Sequence, residues 1–338
     1  MSDVLPIDGE FFIEPLPDQI IAAMEREDRY ITSLAKTQSI APSYFIEHTK
    51  KWPVGGSIKV AFKGGTEALR KKIADAASNI TQHANLIFDF KNDDGSFREW
   101  TTNDTEYKGH IRVCFDRSGY WSLVGKDAVN KRIRNSDYSV GGFPKSRTLC
   151  LGGFDRNLPS NYKSTVIHEF MHAVGFHHAH QSPNASCDDA FRWDDDVGYE
   201  PTVTERGAYI SDSQGRRPGV YTMMSGAPNY WSEAKVNSNM KPSTLRAHER
   251  TAGEFDPRSI MLYRFPNNYY KPNSTNCQPV GNGQNLSQKD KEGLNFLYPS
   301  NEESIIELAE FDKQVSSLFA SLYSDCLLYT SPSPRDRG

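Results

Sequence analysis

Apolar and polar positions alternate along Ser57-Ile58-Lys59-Val60-Ala61-Phe62, the period-two pattern of a strand. After Gly64-Gly65 the period changes. Leu69, Ile73, Ala76, Ala77 and Ile80 recur at helical spacing, which predicts an amphipathic helix over 66–82. Leu86, Phe88 and Phe90 alternate, as do Ile111, Val113 and Phe115, and 148–151 is a short apolar run; each predicts a further strand. Ser164 or Thr165 can cap a second helix, which Gly175 can end in a left-handed turn. Residues 179–258 are rich in Gly, Pro, Asn and charge, so they predict loops and short helices. Ser287 and Asp290 form a capping-box pattern that opens a helix to Tyr298. Ile305, Leu308, Ala309, Phe311, Val315, Leu318, Phe319 and Leu322 make a last helical stripe. A strand–helix–strand start followed by further strands predicts an α+β fold on a mixed sheet.

These patterns divide the 338 residues into an N-terminal extension over 1–51, a main domain over 52–299 and a helical tail over 300–325. The extension is polar and carries scattered Pro, which fits either a pro-segment or a plain extension. Cys326 to Asp336 spell CLLYTSPSPRD, which back-translates to one reading frame of a transposase sequencing adapter. Residues 326–338 are therefore expected to be an artefact, with the natural chain stopping near Asp325.

Composition narrows the function by exclusion. The formal charge is −4 and no basic run or stripe is present, which argues against a nucleic-acid partner. No apolar stretch approaches the ~20 residues of a membrane-spanning helix, and no secretory signal precedes the extension. Compartment and oligomeric state are left open. Outside the tail there are four cysteines, Cys114, Cys150, Cys187 and Cys277, with no pair at metal-binding spacing. They fit either two disulfides, 114–150 and 187–277 being the simplest pairing, or four buried thiols. Five Asn-x-Ser/Thr sequons start at Asn79, Asn103, Asn184, Asn273 and Asn285; chance occurrence in Asn-rich loops makes them weak.

The chemistry lies in His168-Glu169-Phe170-Met171-His172. Two histidines four apart share one helix face and reach one metal ion. Glu169 sits beside the first of them, placed to act on a metal-bound water without being a ligand. Gly175 permits a sharp reversal that brings back His178 as a third ligand, completing H-E-x-x-H-x-x-G-x-x-H. Five of the nine histidines fall within 168–180, which a packed helix does not require. His177 and His180 compete for the third place, but the glycine spacing favours His178. His177 then reads as a pocket or surface residue and His180 as a hydrogen-bonding support behind the ligands. Three neutral imidazoles suit one zinc ion with a position open for water, and Glu169 would take that water's proton and pass it to a leaving amine.

This motif resembles that of the metzincins, and HEFMHAVGFHHAHQ is most similar to astacins and to bacterial astacin-like or matrixin-like peptidases. Ser259-Ile260-Met261-Leu262-Tyr263 resembles their Met-turn. The resemblance implies a metzincin domain with a twisted sheet, split by its cleft into an upper half over 52–178 and a lower half over 179–299. It implies a zinc endopeptidase acting on proteins or peptides. Met261 would be an apolar floor under the histidines, and Tyr263 a zinc-binding and oxyanion-stabilising tyrosine. Ile111-Arg112-Val113 resembles the family's edge strand, along which substrate would lie extended, and 119–125 the segment after it. Ala179 stands where astacins carry a glutamate, and the cysteines do not fall at astacin disulfide positions. The rival reading is a catalytically inactive zinc-binding module that recognises protein, against which stand Glu169 and Tyr263.

Overall fold

The computed structural model describes residues 16–37, 50–182, 185–242, 255–274, 277–306, 309–310 and 313. The 326–338 tail, most of the 305–322 stripe and the Asn184 sequon lie outside them.

Helix α1 spans Asp18–Thr37, within the extension. Strand β1 (Ser57–Lys63) buries Ile58, Val60, Ala61 and Phe62. Helix α2 (Glu67–Thr81) opens where its sequence places it, with Thr66 Oγ1 accepting from the Leu69 N–H at 3.2 Å. Strands β2 (Ile87–Asp89), β3 (Ile111–Cys114), β4 (Tyr120–Ser122) and β5 (Leu149–Leu151) complete a sheet in the order β2-β1-β3-β5-β4. Its first four strands are parallel, and β4 runs antiparallel to β5.

That order corrects one expectation. Residues 111–113 are central, between β1 and β5, and β4 is the edge beside the site. The cause is Arg112, which is completely buried. Its guanidinium donates to the carbonyls of Ser146, Gly109, His110, Ala128 and Gly141, at 2.6–3.1 Å. An arginine on an edge strand would point its charge at water. This one gathers the loop between β4 and β5, and burial pushes its pKa down to about 9.

Helix α3 (Tyr162–Ala173) packs Val166, Ile167 and Phe170 with α2 against one sheet face, alongside Val60, Phe62, Val113 and Leu149. Its N-cap is Asn161, earlier than Ser164 or Thr165; Ser164 Oγ is spent donating to the Asn161 carbonyl at 2.8 Å. The other face carries Cys114, Trp121, Leu123 and Cys150, and α1 covers it with Ile20, Ala23 and Met24. Cys114 and Cys150 are register partners on β3 and β5 and remain thiols.

Beyond α3 the chain forms α4 (Cys187–Ala190), a hairpin of β6 (Thr202–Val203) and β7 (Tyr209–Ile210), α5 (Val220–Ser225) and α6 (Glu233–Met240). These enclose a second apolar cluster around Phe191, Met224, Trp231 and Tyr270, clasped by a Cys187–Cys277 disulfide. Helix α7 (Gln288–Leu297) starts with the expected capping box at Ser287 and Asp290. It returns Leu294 and Tyr298 to the sheet's cluster, where Tyr298 donates its hydroxyl to the Val174 carbonyl at 2.6 Å.

Helix α1 bridges both parts. On one side, buried Lys50 pairs with Asp28 at 2.8 Å and Asp127 at 3.3 Å, and Glu27 pairs with Arg132 at 2.8 Å. On the other, Asp18 pairs with Lys235 at 3.2 Å, and Glu25 accepts from the Ser238 hydroxyl at 3.4 Å.

Candidate active site

Helix α3 stops because the chain turns left-handed at Gly175, with φ +110°. A Cβ there would meet nothing closer than 3.6 Å, so the backbone angle and not space demands glycine. The Phe176 N–H returns to the Met171 carbonyl at 3.0 Å, closing the turn that delivers His178.

His168, His172 and His178 then converge, one ring nitrogen from each lying within 4.8 Å of the others. His168 Nδ1 meets the Ile260 carbonyl at 2.8 Å, and His172 Nδ1 meets the Phe176 carbonyl at 2.7 Å. A carbonyl only accepts, so both hydrogens sit on Nδ1 and the Nε2 lone pairs face inward. The Nε2 atoms of His172 and His178 come within 3.0 Å. This donor set is the kind that holds zinc.

Glu169 is buried beside them, and burial pushes its carboxyl well above the usual range. Its Oε2 has no hydrogen-bond partner among the described residues. A buried carboxylate oxygen left so is costly in a purely structural role and expected where a ligand or substrate arrives. The Tyr263 ring lies 4.0 Å from that of His178, and burial, followed by the charge of Glu169, raises its phenol pKa. Met261 is buried, and its carbonyl accepts from the Ala179 N–H at 2.9 Å, next to His178 in the chain. The position that carries glutamate in astacins is here used through its backbone.

The six candidate residues therefore lie together. His177 lines the cleft. His180 is wholly buried and directs Nε2 at the Asn239 carbonyl, 2.9 Å away. Sequence reasoning missed two contributors. Asp290, legible only as a helix cap, also binds Ser259 Oγ and the Ile260 N–H at 2.6 and 2.9 Å. Helix α1 lines the same cavity as Glu169, His172, His178 and Tyr263, through Ile21, Met24, Glu25 and Asp28. Its apolar stripe, Ile20, Ala23, Met24, was the available signal.

No protein-family model matches the chain, and no curated protein sequence does. Solved structures do match. A structure of myroilysin aligns at 29% identity, covering 75% of this chain and 97% of its own, with a TM-score of 0.52. The chain resembles the astacin-like metzincins in fold and in its three-histidine cluster. It has the α+β fold of that group. A crystal structure of myroilysin aligns at 26% identity over 74% of this chain and 86% of its own, TM-score 0.43. A hatching enzyme zinc-protease of the medaka fish Oryzias latipes, high choriolytic enzyme, aligns at 15% identity over 75% and 96%, TM-score 0.43.

Proposed function

We propose that this chain is a zinc-dependent endopeptidase in which His168, His172 and His178 hold one zinc ion and Glu169 is the general base. The observation that carries the reading is the buried, partnerless Glu169 oxygen beside three convergent imidazoles. When bound, zinc supplies a Lewis acid that polarises the scissile carbonyl and lowers the pKa of a water.

The chain's own residues supply the rest. Glu169 takes a proton from the attacking water and hands it to the leaving amine. Tyr263 donates its hydroxyl to the oxygen that gains charge in the transition state. Met261 gives the histidines an apolar floor, and the Ile260 and Phe176 carbonyls keep two of them in the ligating tautomer. A peptide would lie extended along β4, whose outer edge has no strand beside it. The inactive-module reading leaves a buried carboxylate and a stacked tyrosine without a task.

Helix α1, within the N-terminal extension, enters this proposal as a cover. Described residues 16–30 seat one side of α1 on Trp121, Leu123 and Val124 next to β4 and turn the other into the cavity. Large substrates would reach the site only after that helix leaves.

The deciding experiment measures cleavage of an unfolded protein by the purified chain, with and without a zinc chelator, using Glu169→Ala as blank. Chelator-sensitive cleavage absent from the blank supports the proposal. A chain that holds zinc yet cleaves neither proteins nor short peptides sinks it.

A further inference from the structure

Two side chains that follow His178 are tied to α6 in the same way. His180 Nε2 meets the Asn239 carbonyl at 2.9 Å, and Gln181 Nε2 donates to the Ser238 carbonyl at 2.9 Å. Both acceptors belong to the last turn of α6, where carbonyls have no partner within the helix. The bond fixes the hydrogen of His180 on Nε2 and with it the plane of a wholly buried ring. That ring stacks on Tyr263, centroids 4.9 Å apart and planes 26° apart, and on His178 at 5.4 Å and 23°. Phe265 closes its remaining side edge-on at 5.4 Å.

We propose that His180 is a positioning residue for Tyr263: anchored to the end of α6, its ring sets the plane in which the tyrosine rests against His178. The proposal rests on the endopeptidase reading for its catalytic consequence, and on geometry alone for the placement of Tyr263. A histidine is the side chain that does both jobs. Phenylalanine offers the face without the anchor, and glutamine the anchor without the face. Helix α6 also lines the cavity and holds α1 through Lys235 and Ser238. The tyrosine is thus set by the wall that substrate and cover both touch.

The test combines His180→Phe and His180→Gln, each alone and with Tyr263→Phe, with kcat and KM measured on one short peptide. In parallel, the metal-free proteins are treated with tetranitromethane and nitration of the Tyr263 peptide is followed by mass. The expected result is a kcat loss of roughly 10-fold in each single variant at nearly constant KM, since misplacement of a catalytic group by an ångström costs up to about 10²-fold. That loss should vanish in the Tyr263→Phe background, and Tyr263 should nitrate several-fold faster. A loss that persists undiminished without the Tyr263 hydroxyl, or an unchanged nitration rate, overturns the proposal. If no form has activity the endopeptidase reading fails separately, and nitration alone decides the placement. His180→Phe keeps the aromatic face and carries the test should His180→Gln not fold.

Discussion

Asp290 accepts from Ser259 Oγ at 2.6 Å, a bond that ties the first turn of α7 to the segment carrying Met261 and Tyr263. Its second oxygen accepts from the N–H groups of Ile260 and Ser287, both at 2.9 Å. One carboxyl therefore caps a helix and aims the Ile260 carbonyl at His168. Asp290→Ala should lower zinc affinity about 10–100-fold by freeing that histidine. It should also cost about 2–4 kcal/mol of stability, because buried donors lose a charged acceptor. Chelator competition and urea unfolding measure the two. Unchanged zinc affinity would confine Asp290 to capping.

Glu169→Ala should bind zinc as tightly as the parent and show no turnover. The carboxylate lies beside the donor set without belonging to it. Metal analysis after dialysis decides; a zinc-free variant would make Glu169 a ligand.

Tyr263→Phe should reduce kcat about 10²-fold while KM changes little, the signature of a donor used only in the transition state. An unchanged kcat would reduce the tyrosine to packing.

Much of this arrangement was legible because it is local. The histidine spacing, the Thr66 cap and the Ser287–Asp290 box each depend on residues within a few positions of one another, so the sequence displays them directly. The order of strands is not local. Residues 111–113 resemble an edge segment by motif, and only the five carbonyls around Arg112, drawn from 109–146, show why they sit in the interior. The same holds for His180, whose partner is 59 residues away, and for α1, whose apolar stripe is visible but whose docking face belongs to β4 and its neighbours. The cysteines divided. Cys187 and Cys277 joined, whereas Cys114 and Cys150 face each other across strands as thiols.

Substituting Lys50 should open the cover. Lys50→Met leaves Asp28 and Asp127 buried together without their cation. Cleavage of folded protein substrates should rise several-fold, with less change for short peptides. Equal changes for both substrate sizes would show that α1 does not gate access.

The same cluster sets a pH dependence. Burial is the largest influence on Asp127 and pushes its pKa up to about 6, against the pull of Lys50 and with the repulsion of Asp28 and Glu27. A raised carboxyl favours folding while protonated, so its contribution is present below about pH 4 and is lost as pH rises through about 6. Asp127→Asn does not titrate. Its stability relative to the parent should therefore improve from pH 4 to 6 and level off above. A difference that stays flat across that range, read by thermal melts, would contradict the assignment.

The disulfide between Cys187 and Cys277 closes a stretch of 90 residues whose described part contains only short helices and one small hairpin. Chain-entropy arguments put the worth of such a closure at about 4–5 kcal/mol. One wall of the cleft is thus held by a hydrogen-bonded sheet and the other by a covalent clasp. A reductant would loosen the second wall, including the segment whose Ile260 carbonyl orients His168, and spare the first. The two walls of the cleft therefore differ in kind: one answers to reductant and the other does not.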